Sequence, residues 1–204
     1  MTAIEVLLRQ RKLIRVIGFD DAPFQRHRKP FDATLPPPPP VSVAGIICAG
    51  TRFEGMIWSQ VTQDGLDATD KICEQLLASK FLPQLHLVLL DGLGFGGFNL
   101  IDLPLLSQRL KLPCVAVMRR YPNLAKIEAA LFHFRDRDLR LQLIQKAGKI
   151  HHNPPFFFQV CGEEPDIIAQ ALHTLTDCGK VPEALRIAHL IGAAVKTGES
   201  GSQA

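Results

Sequence analysis

Two aspartates stand where an α/β protein keeps its chemistry. Asp20 follows the apolar run 13–19 (LIRVIGF), and Asp91 follows the apolar run 85–90 (LHLVLL). Such runs read as strands buried on both faces. Open α/β sheets bind ligands beyond the carboxyl ends of their strands. If the two strands are neighbours, both carboxylates meet at one sheet edge. Convergent carboxylates repel one another unless a cation neutralises them. Mg²⁺ (or Mn²⁺) suits such a place, because it takes a few carboxylate oxygens and keeps water for substrate phosphates. The same ion activates water and stabilises the charge that develops as a phosphodiester bond breaks. The alternative is that each aspartate is only a turn residue at a strand end.

A third acid is available from residues 64–79, where Leu66, Ile72, Cys73, Leu76 and Leu77 recur at helical spacing. Asp67, Asp70 and Glu74 lie three and four apart, so they share a helical face. Asp64 and Asp67, near the helix start, complement its dipole. Asp70 lies one turn further in, where that explanation is weaker. A carboxylate carried by this helix toward Asp20 and Asp91 would complete a metal site.

Asp91 opens the string DGLGFGG, which fits G-x-G-x-x-G after a strand and before a helix. That pattern alone suggests a dinucleotide site, but a carboxylate beside the first glycine would repel a pyrophosphate. Gly92 and Gly94 are better explained as letting a substrate backbone approach Asp91, or as a flexible turn. Arg119 and Arg120 follow the apolar strand 114–118 (CVAVM), either as a phosphate clamp at the acidic edge or as a solvated loop pair. The run Arg26, His27, Arg28, Lys29 offers charge for a nucleic-acid backbone or is simply solvated. His151 and His152 have no ligand spacing and read as surface residues. Arg186 and His189, three apart on the last helix, either face the site or cap the core.

The elements that must hold these residues can be read from pattern. Strands are expected at 13–19, 41–49, 52–61, 85–90, 114–118 and 156–160. Helices are expected at 64–79, 101–110, 124–134, 136–149, 164–176 and 182–195. An early three-strand meander followed by alternating helices and strands points to a mixed sheet with helices on both faces. A proline-rich loop spans about 23–40, with five consecutive prolines at 36–40, and a small polar tail spans about 196–204. The whole chain, 1–204, reads as one domain. It is 47% hydrophobic and 21% charged with a net charge of +3, which is ordinary globular composition, compatible with a polyanionic partner. Five scattered cysteines without a C-x-x-C pair suit a reducing compartment, and no apolar run reaches the roughly 20 residues of a membrane helix. The expectation is a cytoplasmic protein with no membrane partner and no organic cofactor.

The strings IGFDDAPF, VTQDGLDATDKI, LLDGLGFGGFNLIDL, VMRRYP and VPEALRIAHLIG, in this order, resemble a family of prokaryotic proteins related to endonuclease V, the endonuclease dU family. The resemblance runs from about residue 13 to 195. It implies a ribonuclease H-like fold and Mg²⁺-dependent endonuclease activity on DNA containing deoxyuridine. Asp20, Asp70 and Asp91 would then be the catalytic, metal-holding acids, with Asp67 as the competing match to Asp70. Gly92 and Gly94 would belong to the turn after the second acid, and Arg119, with Arg120 beside it, would contact the nucleic acid. Endonuclease V's Tyr-containing wedge has no counterpart in SQVTQDG, and CGEEPD stands where its late His would lie. Other readings of the same fold are an RNA-directed endonuclease and a nucleic-acid-binding module that does not cleave.

Overall fold

The structure is a computed structural model that describes residues 1–25 and 40–201. The basic run at Arg26 to Lys29 and most of the proline-rich loop lie outside those residues.

A seven-stranded mixed sheet forms the centre. Its strands are β1 (Arg15–Asp21), β2 (Val41–Ala49), β3 (Arg52–Val61), β4 (Leu87–Asp91), β7 (Cys114–Met118), β8 (His151–Asn153) and β9 (Phe156–Cys161). Between β4 and β7, β5 (Gly94–Phe95) and β6 (Asn99–Leu100) make a small separate hairpin. The order across the main sheet is β3-β2-β1-β4-β7-β9-β8. The pairs β1–β4 and β4–β7 are parallel, and the flanking pairs are antiparallel. Two successive parallel pairings put the carboxyl ends of β1, β4 and β7 along one edge.

Helices cover both faces, as the order of elements implied. On one face α1 (Ala3–Arg9), α6 (Pro165–Thr174) and α7 (Glu183–Thr197) lie over a core that includes Val16, Leu87, Leu89, Val115 and Val117. On the other, α2 (Ala68–Leu77) and α3 (Leu103–Leu110) lie over Ile17, Phe19, Val88 and Leu90. The alternation of these strand residues between the two cores is the period of two that every strand imposes. A further helical pair, α4 (Leu124–Leu131) and α5 (Arg137–Lys146), comes after β7.

One docking decides the position of the functional edge. A Cβ on Gly18 would lie 2.8 Å from the backbone of Ala184, and a Cβ on Gly192 would lie 3.2 Å from Ala22 Cα. The two glycines let α7 lie close along β1. Eight residues of helix advance about 12 Å, and four residues of strand advance about 13 Å. The helix from 184 to 192 therefore keeps pace with the strand from 18 to 22, and His189 arrives beside Asp20.

Several expected boundaries move for physical reasons. β1 runs on through Asp20 and Asp21, because both pair with β2, opposite Ala44 and Val43. The second helix starts at Ala68 and not near residue 64, since Asp64 takes a positive φ of 52°. The tail begins later than expected, because α7 continues to Thr197 and ends in a left-handed Gly198. The first helix, the β5–β6 hairpin and the edge strand β8 carry too few residues for a period to show.

Candidate active site

β1 and β4 are parallel neighbours with Phe19 paired to Leu90. Asp20 and Asp91 therefore come next at the same level. Strand alternation turns both toward α7. The Asp20 side chain is 7% exposed, and its Oδ2 lies 2.9 Å from His189 Nδ1. A carboxylate only accepts, so Nδ1 carries the proton. That bond, more than anything else, raises the imidazole above its usual range. Arg119 Nη2 lies 3.8 Å from Asp91 Oδ2. Burial, reinforced by the charge of Asp20, pushes the Asp91 carboxyl up to about 6, against the opposing pull of Arg119 and His189.

Asp21 faces the other way. Its Oδ2 accepts the Gly96 N–H at 2.5 Å. Burial pushes this carboxyl too up to about 6, helped by Asp20 and Asp91 and opposed by the Gly96 bond. The sheet edge thus holds three close acids, two of which resist ionisation, with one imidazole and one guanidinium set against them.

The glycine-rich turn is built for different reasons at its two sites. Gly92 has φ +80° and no atom within 4 Å of where a side chain would project, so space stays open beside Asp91. Gly94 is a need of the hairpin itself, since a Cβ there would sit 2.7 Å from Gly97 O. Arg120 is exposed beside Arg119.

The structure does not bring the helix acids to this cluster. The Asp70 side chain is 59% exposed and pairs with Arg109 of α3 at 2.5 Å. The expectation that α2 would deliver it to Asp20 and Asp91 fails, because the packed face of α2 is Ala68, Thr69, Ile72, Cys73 and Leu76. Asp67 precedes the helix and ties the loop after β3. It accepts from Thr62 N (3.1 Å), Thr62 Oγ1 (2.8 Å) and Asn99 Nδ2 (2.6 Å). Its burial would raise its carboxyl, but the Asn99 and Thr62 bonds hold it below the ordinary range.

Sequence reasoning missed Asp21 and left His189 open. The signal for Asp21 was the double aspartate itself, since consecutive strand residues face opposite sides. The signal for His189 was the small-residue spacing Ala184, Ala188, Gly192, which marks the face of α7 that touches β1 and puts His189 at its margin.

The donor set suits a hard cation. Asp20, Asp21 and Asp91 offer only oxygen, and Mg²⁺ is commonly held by one or two carboxylates while keeping several waters. The three do not form a closed cage. Among the described residues the one trio with all donor atoms within 4.8 Å is Asp177, Cys178 and Glu183, and its Glu183 is already paired with Arg186 at 2.5 Å. A cation at the strand ends would therefore rest on Asp20 and Asp91, with the opening beside Gly92 left for water and substrate.

A family model described as Endonuclease dU matches residues 12–196. The chain belongs to the endonuclease dU family. A UPF0215 protein of Methanothermobacter thermautotrophicus is 39% identical over 195 residues, spanning 94% of this chain and 92% of that one. The crystal structure of a protein of unknown function from Archaeoglobus fulgidus superposes with TM-score 0.79 at 31% identity, over 89% of this chain and 98% of that one. Endonuclease V of Ciona intestinalis (D234N), in complex with a 23mer DNA containing an inosine, matches with TM-score 0.52 at 12% identity, over 92% of this chain and 95% of that one. The mixed sheet of this endonuclease dU family member is thus the fold of endonuclease V, a ribonuclease H-like fold. No helix among the described residues is long and apolar enough to cross a membrane.

Proposed function

We propose that this endonuclease dU family member is a metal-dependent endonuclease that cleaves phosphodiester bonds in DNA at or near deoxyuridine. The observation that carries the reading is the meeting of Asp20 and Asp91 at the carboxyl ends of adjacent parallel strands, with Arg119 on Asp91. The family description supports the substrate class, and the DNA held by the Ciona intestinalis relative supports the polymer.

Asp20 and Asp91 would hold Mg²⁺ or Mn²⁺. When bound, the ion supplies an activated water and neutralises charge on the departing oxygen. His189 fixes the orientation of Asp20 through the bond from Nδ1 to Oδ2, and the other carboxylate oxygen would serve the ion. Arg119 offers its remaining donors to a phosphate lying against Asp91, a charge-assisted contact. Asp21 braces the Gly96 amide, which keeps the glycine-rich turn against the strand ends. Asp70 takes no part in this arrangement.

A cleavage panel tests the reading. Oligonucleotides carrying deoxyuridine, deoxyinosine or neither, as DNA and as RNA, are incubated with Mg²⁺, Mn²⁺ or chelator. Metal-dependent cutting confined to deoxyuridine-containing DNA is expected. Equal cutting of all DNAs removes the lesion from the proposal, preference for RNA changes the substrate, and binding without cutting reduces the protein to a binding module.

Arg119→Ala is expected to weaken DNA binding and flatten its salt dependence. Each lost phosphate contact reduces the slope by about 0.9 on duplex and about 0.7 on single strands. Base preference should stay, since phosphate contacts position and base contacts specify. A salt titration with unchanged affinity and slope would show Arg119 to be a solvated loop residue.

Acidity gives another expectation. Asp21 and Asp91 ionise only near pH 6 in the folded chain but near 3.9 when unfolded. Between those values the folded state holds more protons, so metal-free stability falls as pH rises. His189 acts in the same direction, because its raised value gives stability that is present below pH 6.5 and lost above its folded value. Mg²⁺ should therefore raise Tm at pH 7.5 and have little effect at pH 5, where the Asp91 carboxyl is largely protonated. Thermal melts with and without Mg²⁺ at the two pH values measure this. An equal Mg²⁺ effect at both would place the ion elsewhere.

A further inference from the structure

Beyond Arg119 the sheet edge carries an aromatic row that the metal-and-phosphate site does not use. Asp91 pairs with Val117, the next residue of β7, Met118, pairs with Phe157 of β9, and Phe157 pairs with His152 of the edge strand β8. The His152 and Phe157 rings are stacked, with centroids 4.2 Å apart and planes 6° from parallel. Tyr121, only two residues after Arg119, meets Phe157 edge-on at 5.8 Å and 80°. Tyr121 is 59% exposed, His152 is exposed and Phe157 is half-buried. Met118, Phe157 and His152 alternate with Val117 and Phe158, so the row faces the side of the sheet opposite Asp91. Arg119, which reaches Asp91, and the exposed Arg120 lead the chain from β7 to Tyr121.

We propose that Tyr121, Phe157 and His152 form a base-stacking platform for an unpaired stretch of the DNA strand that enters the candidate active site. The proposal rests on the endonuclease reading and adds to it the state of the substrate beside the cut. A cross-strand His–Phe pair serves sheet stability by itself, but it does not call for an exposed tyrosine on the same ring directly after two arginines, one of them on Asp91. Aromatic faces flanked by cationic side chains are how single strands are held, since every base has a face to stack and every nucleotide a phosphate. A duplex keeps its bases stacked on one another and has none to offer the platform.

The geometry also sets the reach. Neighbouring strands are about 4.8 Å apart, so the backbone of Phe157 lies about 10 Å and that of His152 about 14 Å across the sheet from the column of Asp91, and a strand reaches the row by passing around the sheet edge.

The test uses binding alone, in chelator, so no cleavage is needed to read it. Fluorescence anisotropy compares the whole chain with Tyr121→Ala, His152→Ala and Tyr121→Trp on labelled single-stranded DNA and on duplex DNA of equal length. Each alanine variant should bind the single strand about 5- to 150-fold more weakly. Duplex affinity should stay within about twofold, and the salt slope should not change, because no phosphate contact is lost. Tyr121→Trp should retain single-strand affinity. Equal losses on both DNAs, or no loss on either, with melts confirming folded protein, overturn the platform and leave the nuclease reading standing. Failure of the unmutated chain to bind either DNA overturns both.

Discussion

Asp91→Asn should abolish cleavage while the protein stays folded. The substitution keeps the size of the side chain and removes one of the two strand-end charges that would hold the cation. Loss of a mere outer partner of a metal ligand costs roughly 10- to 100-fold, so loss of the ligand itself should exceed about 100-fold. The variant should not be less stable without metal. Burial and the charge of Asp20 resist ionisation of Asp91, pushing it up to about 6, so the amide relieves a charge the fold holds under protest at neutral pH. Single-turnover cleavage at saturating Mg²⁺, paired with a thermal melt, separates the two effects. Near-normal cleavage by folded variant protein would remove Asp91 from the mechanism.

Arg140→Ala should produce the largest loss of stability. Arg140 is 2% exposed and heavily bonded through its guanidinium. Nε and Nη2 reach Asp136 at 2.7 and 2.8 Å, Nη2 reaches Asp64 O at 2.7 Å, and Nη1 reaches Gly65 O at 3.1 Å and also Phe98 O. Its guanidinium lies 4.5 Å from the Phe134 ring centre, and Phe134 packs edge-on against Phe98 at 5.5 Å. One side chain thereby joins the loop after β3 to the glycine-rich turn. Breaking a buried ion pair from one side costs about 3–5 kcal/mol. At about 2–4 °C per kcal/mol for a chain of this size, Tm should fall by roughly 6–20 °C. Lysine should not rescue it, because a point charge cannot serve a planar fork of acceptors. A Tm within about 2 °C of the parent would show that these loops hold without it.

Legibility in the sequence obeyed a physical rule. Asp20 and Asp91 could be placed because apolar strands buried on both faces leave unbroken runs, and the residue after such a run lies at an edge. The sheet and its two helical layers came from the same runs and from their order. Asp70 was misplaced although the sequence held the correction. At roughly 100° per residue, Asp70 lies about 200° around α2 from Ile72, so the apolar residues that define the helix also turn Asp70 outward. The partnership of His189 with Asp20 is of another kind. It depends on how closely one helix lies on one strand, which Gly18 and Gly192 permit and hydrophobic periodicity does not encode.

The seam between α7 and β1 also sets when the site comes into being. Asp20 and His189 are separated by 169 positions, and α7 is the last described helix. Contacts between distant parts of a chain form only after the intervening loop has closed, and they govern the slow steps of folding. A chain still emerging from the ribosome has made both strand-end acids long before the imidazole that steadies one of them. The acidic edge is therefore completed only once α7 has been made, and a partly made chain that stops short of α7 carries the strand ends without the helix that finishes them.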